Sequence, residues 1–248
     1  MADPIHQFQI VPLLPLGRDV HLDFTNSSFY MLVAVGITGA LMLGATASRR
    51  IVPGRIQSVA ELAYEFVADT IRNTIGEGGM KFFPLVFSLF MFILVSNIVG
   101  LIPYQFTVMS HIIVTAALAL LVFFIVLFYG LSKNGLKFFK LFVPSGVPIY
   151  ILPLVVLIEI IAFFFVKPVS HSLRLFANML AGHIALKVFA SFVGMLGTLG
   201  LIGWIGAIFP LGLTVALTAL ELLVAFLQAY VFAILTCIYL KDAIHPGH

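Results

Sequence analysis

Apolar residues run almost unbroken over positions 29–47, 82–102, 108–131, 149–194 and 199–240, with polar residues gathered between the runs. Crossing the roughly 30 Å hydrocarbon layer of a bilayer takes about 20 residues of α-helix. Three of the runs fit one crossing each, and the last two are about twice that length. A helix of about 40 residues extends about 60 Å at 1.5 Å per residue, so these two must tilt steeply or break. Pro153, Pro168 and Pro210 are the positions where a bend is expected. The pattern predicts an all-α integral membrane protein with about five membrane-embedded helices, the last two long and strongly tilted.

Between the first two runs the period changes. Val59, Leu62, Ala63, Phe66, Val67, Ile71 and Ile75 recur at helical spacing opposite Glu61, Glu65, Asp69 and Arg72, which predicts an amphipathic helix over 56–76 lying on the cytoplasmic membrane surface. Lipid-binding surface helices usually present Lys and Arg, whereas this polar face is mainly acidic, so it suits a protein partner as well as lipid. The chain then reads as one membrane domain over 1–248: an external segment over 1–25, a first transmembrane helix over 26–48, the surface helix over 56–76, a helical hairpin over 82–131 and a long tilted hairpin over 148–241. The first 24 residues lack the basic start and apolar core of a secretory signal and read as an exposed mature terminus. No internal repeat, low-complexity tract or soluble domain stands out.

Composition agrees with a lipid-solvated chain. Of 248 residues, 62% are hydrophobic and 9% charged, against roughly 25% charged in soluble domains. The single cysteine, Cys237, has no partner in the chain, so an internal disulfide is excluded. The net charge of +3 is small, and the basic residues sit between apolar runs, which excludes a nucleic-acid surface. Arg49, Arg50 and Arg55 follow the first run, Lys133, Lys137 and Lys140 the third, and Lys241 the last, which puts these flanks in the cytoplasm. The N-terminus is then outside and the C-terminus inside. Five crossings satisfy that, with external tips near 102–107 and 195–199.

Against this background the ionisable residues inside the long runs stand out, because each costs about 2.5–3.5 kcal/mol at the bilayer centre on insertion scales. The fourth run holds Glu159, Lys167, His171, Arg174, His183 and Lys187, and the fifth holds Glu221 together with the uncharged but polar Gln228. An antiparallel hairpin would bring Arg174 and Glu221 to similar depth. At about 100° per residue, Ser170, Arg174 and Asn178 share one side of a helix and His183 falls nearly opposite Arg174. Thr214, Thr218, Gln228 and Tyr239 all lie within about 60° of Glu221 around the helix, a polar stripe that lines water or protein rather than lipid.

An arginine does not give up its proton inside a protein, so Arg174 is a fixed positive charge. Such a charge works as a gate: it drives a carboxylate brought beside it to ionise, and it repels a free proton or cation. His183 and Glu221 can take up and release protons, which suits them to pass protons along a half-channel. Asn178, Gln228, Ser170, Thr214, Thr218 and Tyr239 are candidates for lining and orienting water. The plainer alternatives are that Arg174 pairs with Glu221 or Glu159 to hold two helices together, and that His183 is a helix-packing hydrogen-bonder. Lys167 and Lys187 are expected to reach toward opposite interfaces, and His111 and His171 to be structural. The glycines over 194–206 suit close packing or the turn between the long helices. A secondary ion or proton transporter is the alternative function, although matched broken helices in two halves are absent. A haem protein is a third class; His171 and His183 lie about 120° apart around one helix and do not face a common cavity. No metal or other cofactor is implied.

Three stretches carry a family resemblance. Lys-Pro-Val-Ser-His-Ser-Leu-Arg-Leu-Phe-Ala-Asn-Met-Leu-Ala-Gly-His at 167–183 is similar to the signature around the essential arginine of subunit a of F-type ATP synthases, the static membrane partner of a rotating c-ring. Ser-Asn-Ile-Val-Gly-Leu-Ile-Pro at 96–103 resembles a second motif of that family, and Leu-Gln-Ala-Tyr-Val-Phe at 227–232 a third. The resemblance implies that Arg174 faces the c-ring carboxylate, that Asn178 and Gln228 flank it, that His183 and Glu221 belong to one proton half-channel and that Glu159 belongs to the other. The last two helices would lie strongly tilted against the c-ring. Many bacterial members carry an acid where His183 stands and a histidine where Glu221 stands; the exchanged order here resembles the mitochondrial and alphaproteobacterial branch. The implied role is a subunit without catalysis of its own, which couples proton flow to rotation. The implied partners are the c-ring, subunit b of the peripheral stalk, the rest of the ATP synthase and membrane lipid. The implied location is the bacterial plasma (inner) membrane or, alternatively, the mitochondrial inner membrane.

Overall fold

A computed structural model describes residues 11–14, 23–47, 52–102, 105–143, 148 and 150–244. Arg49, Arg50, Pro103 and most of the segment expected over 1–25 lie outside the described residues, as do the side chains of Lys137 and Lys140.

A short antiparallel pair, β1 (Pro12–Leu14) with β2 (Phe24–Thr25), precedes the helices. Then follow α1 (Asn26–Ala47), α2 (Arg55–Thr74), α3 (Phe83–Gly100), α4 (Ile112–Asn134), α5 (Leu152–Ile161), α6 (Lys167–Gly197) and α7 (Leu201–Ile244), with 3-10 turns at Glu77–Phe82, Val108–Ser110 and Gly135–Phe142. Among the described residues five helical segments are long and apolar enough to cross a membrane, including Leu152–Gly197 with 46 residues and Gly203–Ile244 with 42. At 1.5 Å per residue these two reach about 69 and 63 Å, so only tilting keeps them inside a layer roughly 30 Å thick.

The prolines act differently from one another. Pro153 stands in the first turn of α5, where its missing N–H leaves no hydrogen bond unmade. Before Pro168 the chain widens into a π-helical turn, Ala162–Val166, in which the Lys167 amide donates to the Ala162 carbonyl. A π turn gives the proline ring room against the preceding turn, so the helix continues instead of breaking. Pro210 lies inside α7, which runs on through it.

The chain divides into two compact units. The first comprises Met1–Ala40, Met91–His111 and Leu175–Ala229. Here the turn between α6 and α7 uses Gly200 at φ +77, a conformation that favours glycine, and at Gly203 a Cβ would stand 2.0 Å from the Leu196 carbonyl oxygen. Asn97 on α3, wholly buried, donates its Nδ2–H to the Ala225 carbonyl of α7 at 3.3 Å.

The second unit comprises Leu41–Phe90, Ile112–Arg174 and Tyr230–His248. The amphipathic helix appears in it as α2, ended by Gly76 at φ +92. Val67, Ala68 and Ile71 are buried, while Ile56, Val59 and Leu62 of the same apolar stripe stay exposed, as do Glu61, Glu65 and Asp69 opposite. An aromatic cluster of Phe123, Phe138, Phe142, Phe163 and Phe164 packs the 3-10 turn Gly135–Phe142 against its neighbours. Gly130 lets it close, since a Cβ there would meet Phe138 Cε2 at 2.3 Å.

Candidate functional site

In the first unit two ionisable residues of the long runs meet. His183 on α6 and Glu221 on α7 are both buried, with Nδ1 of the imidazole 3.6 Å from Oε1 of the carboxyl group. The approach depends on the residue before the histidine: a Cβ on Gly182 would stand 2.7 Å from Glu221 Oε1. Thr107, wholly buried in the segment after α3, brings its hydroxyl oxygen within 3.2 Å of His183 Nε2 and 3.5 Å of the Gly100 carbonyl. Apart from His183, neither oxygen of Glu221 has a hydrogen-bond partner among the described residues; Ser96 Oγ and Asn97 Oδ1 of the same unit also have none there. Buried polar atoms are normally paired.

The other residues of the expected stripe lie in this unit with Glu221, apart from Tyr239. Thr214 donates to the Pro210 carbonyl and Thr218 to the Thr214 carbonyl, both at 2.8 Å, so their hydroxyl hydrogens are engaged by their own helix. Asn178 and Gln228 are half-buried. His111, just ahead of α4, stacks on Phe106 with centroids 4.9 Å apart, and burial holds its pKa below the ordinary histidine value.

The second unit contains Glu159, Ser170, Arg174 and Tyr239. Arg174 and Ser170 are exposed on α6, and among the described residues of this unit Arg174 makes no ion pair. Glu159 lies about 22 Å from Arg174 along the helical path at 1.5 Å per residue, which rules it out as an anchoring partner. The acid of Asp242 is taken by Lys167 at 3.3 Å. Lys167 also stands over the rings of Phe163 and Tyr239, 5.2 Å from each centroid. Beside them lies His171, 3% exposed, its ring 3.8 Å from that of Phe232. His171, Lys167, Pro168, Phe163 and Tyr239 line a cavity. Tyr239 therefore stands with His171 and Lys167. Helical phase aligns it with Glu221, but 18 residues separate the two by about 27 Å along the axis.

The sequence reading left out Thr107, Gly100 and Gly182 as parts of this site. Gly100 and Gly182 do fall inside the motifs at 96–103 and 167–183; Thr107, 76 positions from His183, follows the first of these closely.

Residues 28–241 match the model of a family described as ATP synthase A chain. The chain is 77% identical over 249 residues to an ATP synthase subunit a of Rhodopseudomonas palustris (strain BisB5), covering 100% of this chain and 99% of that one. It is 71% identical over 249 residues to the ATP synthase subunit a of Bradyrhizobium diazoefficiens, with 99% of each covered. With that of Nitrobacter winogradskyi it shares 69% over 250 residues, the full length of both.

Proposed function

The chain belongs to the ATP synthase A chain family, the proton-translocating and non-catalytic membrane-sector subunit of that complex, and from this premise we propose how it handles the proton. Arg174 is the fixed charge met by the carboxylates of a rotating c-ring, and His183 with Glu221 exchanges protons in one of two half-channels. Glu159 belongs to the other. Asn178, Gln228 and Ser170 sit beside the arginine's path, and Tyr239, Thr214 and Thr218 border water.

One observation carries this reading. Arg174 is exposed on a long apolar helix, and no ion pair holds it among the described residues of its unit. A permanent charge facing a membrane medium is costly by several kcal/mol unless a partner of opposite charge covers it. A carboxylate on a neighbouring subunit meets that need, and a moving series of them would meet it repeatedly. When such a carboxylate arrives protonated, the guanidinium favours its ionisation and the proton leaves toward the exit side. A proton cannot pass straight between the half-channels, because the arginine repels it. Protons therefore reach the exit only by riding the ring.

The steep tilt demanded by the lengths of Leu152–Gly197 and Gly203–Ile244 lets both helices follow a ring's edge over a long path. The exposed acidic stripe of α2 suits subunit b of the peripheral stalk. The charge distribution favours an external N-terminus, a cytoplasmic C-terminus and the bacterial inner membrane.

The test is ATP-driven proton pumping in inverted vesicles with assembled complex. Arg174→Ala is expected to reduce pumping below detection while assembly is intact. Pumping that persists in Arg174→Ala would make the arginine a structural residue and end the gate reading.

A further inference from the structure

The polar side chains that α6 carries into the second unit fare differently there. Lys167 is paired with Asp242 at 3.3 Å. Buried Ser172 has its Oγ 3.1 Å from Thr115 Oγ1 of α4, which also donates to the Ile112 carbonyl at 3.1 Å. His171 is the exception. It is 3% exposed, and its Nε2 has no hydrogen-bond partner among the described residues. Burying such an atom unpaired is costly, and native proteins commonly repair the loss with an ordered water where there is room and where other polar groups converge.

Both conditions are met beside His171. Phe163, Lys167 and His171 recur every four residues and so follow one side of the helical path. With Phe123 and Val126 of α4 and Tyr239 of α7 they line one cavity. The space it leaves to the centre of a water molecule is about 10 Å³, close to the least that holds one water and too little for a larger ligand. Of the residues around it only His171, Lys167 and Tyr239 have a polar side-chain atom, and the rest of the lining is hydrocarbon. Three polar groups fall within the range of about two to four partners that hold a buried water.

The donor set also selects the occupant. The Lys167 ammonium can only donate, whereas the Tyr239 hydroxyl and an imidazole nitrogen can each donate or accept. An ammonium in the lining repels a cation, and the Asp242 carboxylate 3.3 Å from it already balances the charge that would draw an anion. A water molecule both donates and accepts, so it can take a hydrogen from Lys167 and still satisfy the other two groups.

We infer that this cavity is a binding site for one water molecule, held by His171, Lys167 and Tyr239, which ties α6 to α7 three residues before Arg174. The inference rests on the reading that Tyr239 borders water and names the place where it does so. His171 thereby gains a task beyond packing: it presents a buried nitrogen to a water shared between two helices, a link nearly as favourable as a direct hydrogen bond.

The test is the structure of the intact ATP synthase complex containing this chain, determined by electron cryomicroscopy at a resolution that shows ordered water. A density peak in the cavity within hydrogen-bonding distance of His171 Nε2 and of Tyr239 Oη or Lys167 Nζ is the expected result. A cavity without a peak, or an Nε2 bonded directly to a protein group, overturns the inference. Ordered water at the Tyr239 hydroxyl outside the cavity overturns it while leaving the reading of Tyr239 intact; no ordered water at that hydroxyl removes both. A second measurement compares thermal unfolding of the solubilised complex with and without Ala119→Val, which crowds the cavity from α4, in the native and the His171→Phe backgrounds. With His171 present the substitution is expected to lower the midpoint by about 2–4 °C, the scale of one lost buried hydrogen bond in a chain of this size, and with Phe there to leave it unchanged or raise it. An equal fall in both backgrounds reports crowding alone, and a rise with His171 present reports a dry cavity; either overturns the inference.

Discussion

Helix α6 contributes to two acid–base pairs of similar geometry and different chemistry. His183 meets Glu221 at 3.6 Å with side-chain exposures of 7% and 5%, and Lys167 meets Asp242 at 3.3 Å with exposures of 30% and 32%. Distance does not separate them. The lysine and aspartate meet as a salt bridge between opposite charges, which holds two segments of the chain together. The imidazole and the buried carboxyl can each exist with or without a proton, and both Glu221 oxygens lack a hydrogen-bond partner apart from His183 among the described residues. A closed pair between permanent charges fastens a helix. On the function proposed above, a buried pair of proton carriers instead passes a proton on.

The sharpest way to break this contrast is to neutralise the acid of each pair without changing its shape. Glu221→Gln removes a proton carrier and is expected to lower ATP-driven pumping at least about 100-fold, the scale of a lost acid–base group. Asp242→Asn removes only a fixed charge and is expected to keep most of the flux. Pumping rates in matched vesicles, corrected for assembled complex, check both. Equal losses would mean that the second pair also lies on the proton's route.

A smaller effect is expected at Gly182. The Cβ of Gly182→Ala would stand 2.7 Å from Glu221 Oε1, closer than contact allows, so the carboxyl end must swing away from His183. Misplacement of a reacting group by about 1 Å costs roughly 10- to 100-fold, and that is the expected fall in pumping. Gly36→Ala on α1 is the control, since a Cβ there meets nothing within 4 Å. A Gly182→Ala variant that pumps like Gly36→Ala would show that the His183–Glu221 contact is not needed.

The membrane-crossing helices were legible from the apolar runs, because lipid solvation leaves a signal that spans about 20 residues and survives any detail of packing. His183 and Glu221 were legible for the opposite reason: an ionisable group stands out where nearly everything else is hydrocarbon. Their mutual contact was not, nor was the hydroxyl that completes it. Thr107 carries no charge, lies outside the apolar runs' periodicity and reaches His183 only through the tertiary fold. Tyr239 shows the limit of helical phase, which gives direction around an axis and says nothing of depth along it. Pro168 shows another: the sequence marks a perturbed turn, but only the backbone reveals that a π turn at Ala162–Val166 accommodates it.

The smallest expected effect concerns what the Lys167–Asp242 pair contributes to stability. Side chains that keep about a third of their surface exposed gain at most about 1 kcal/mol from such a contact, because solvent screens the attraction. Lys167 has further partners in the rings of Phe163 and Tyr239, each 5.2 Å from its ammonium group and each adding about 0.5–1 kcal/mol for a cation that solvent reaches. Lys167→Gln removes the ion pair and both ring contacts, whereas Asp242→Asn removes the ion pair alone. Thermal unfolding of the detergent-solubilised complex should therefore rank Lys167→Gln below Asp242→Asn, and the double variant close to Lys167→Gln. If Asp242→Asn proves the more damaging, the acid is doing something besides neutralising Lys167, and the division between a fastening pair and a proton-moving pair would have to be redrawn around it.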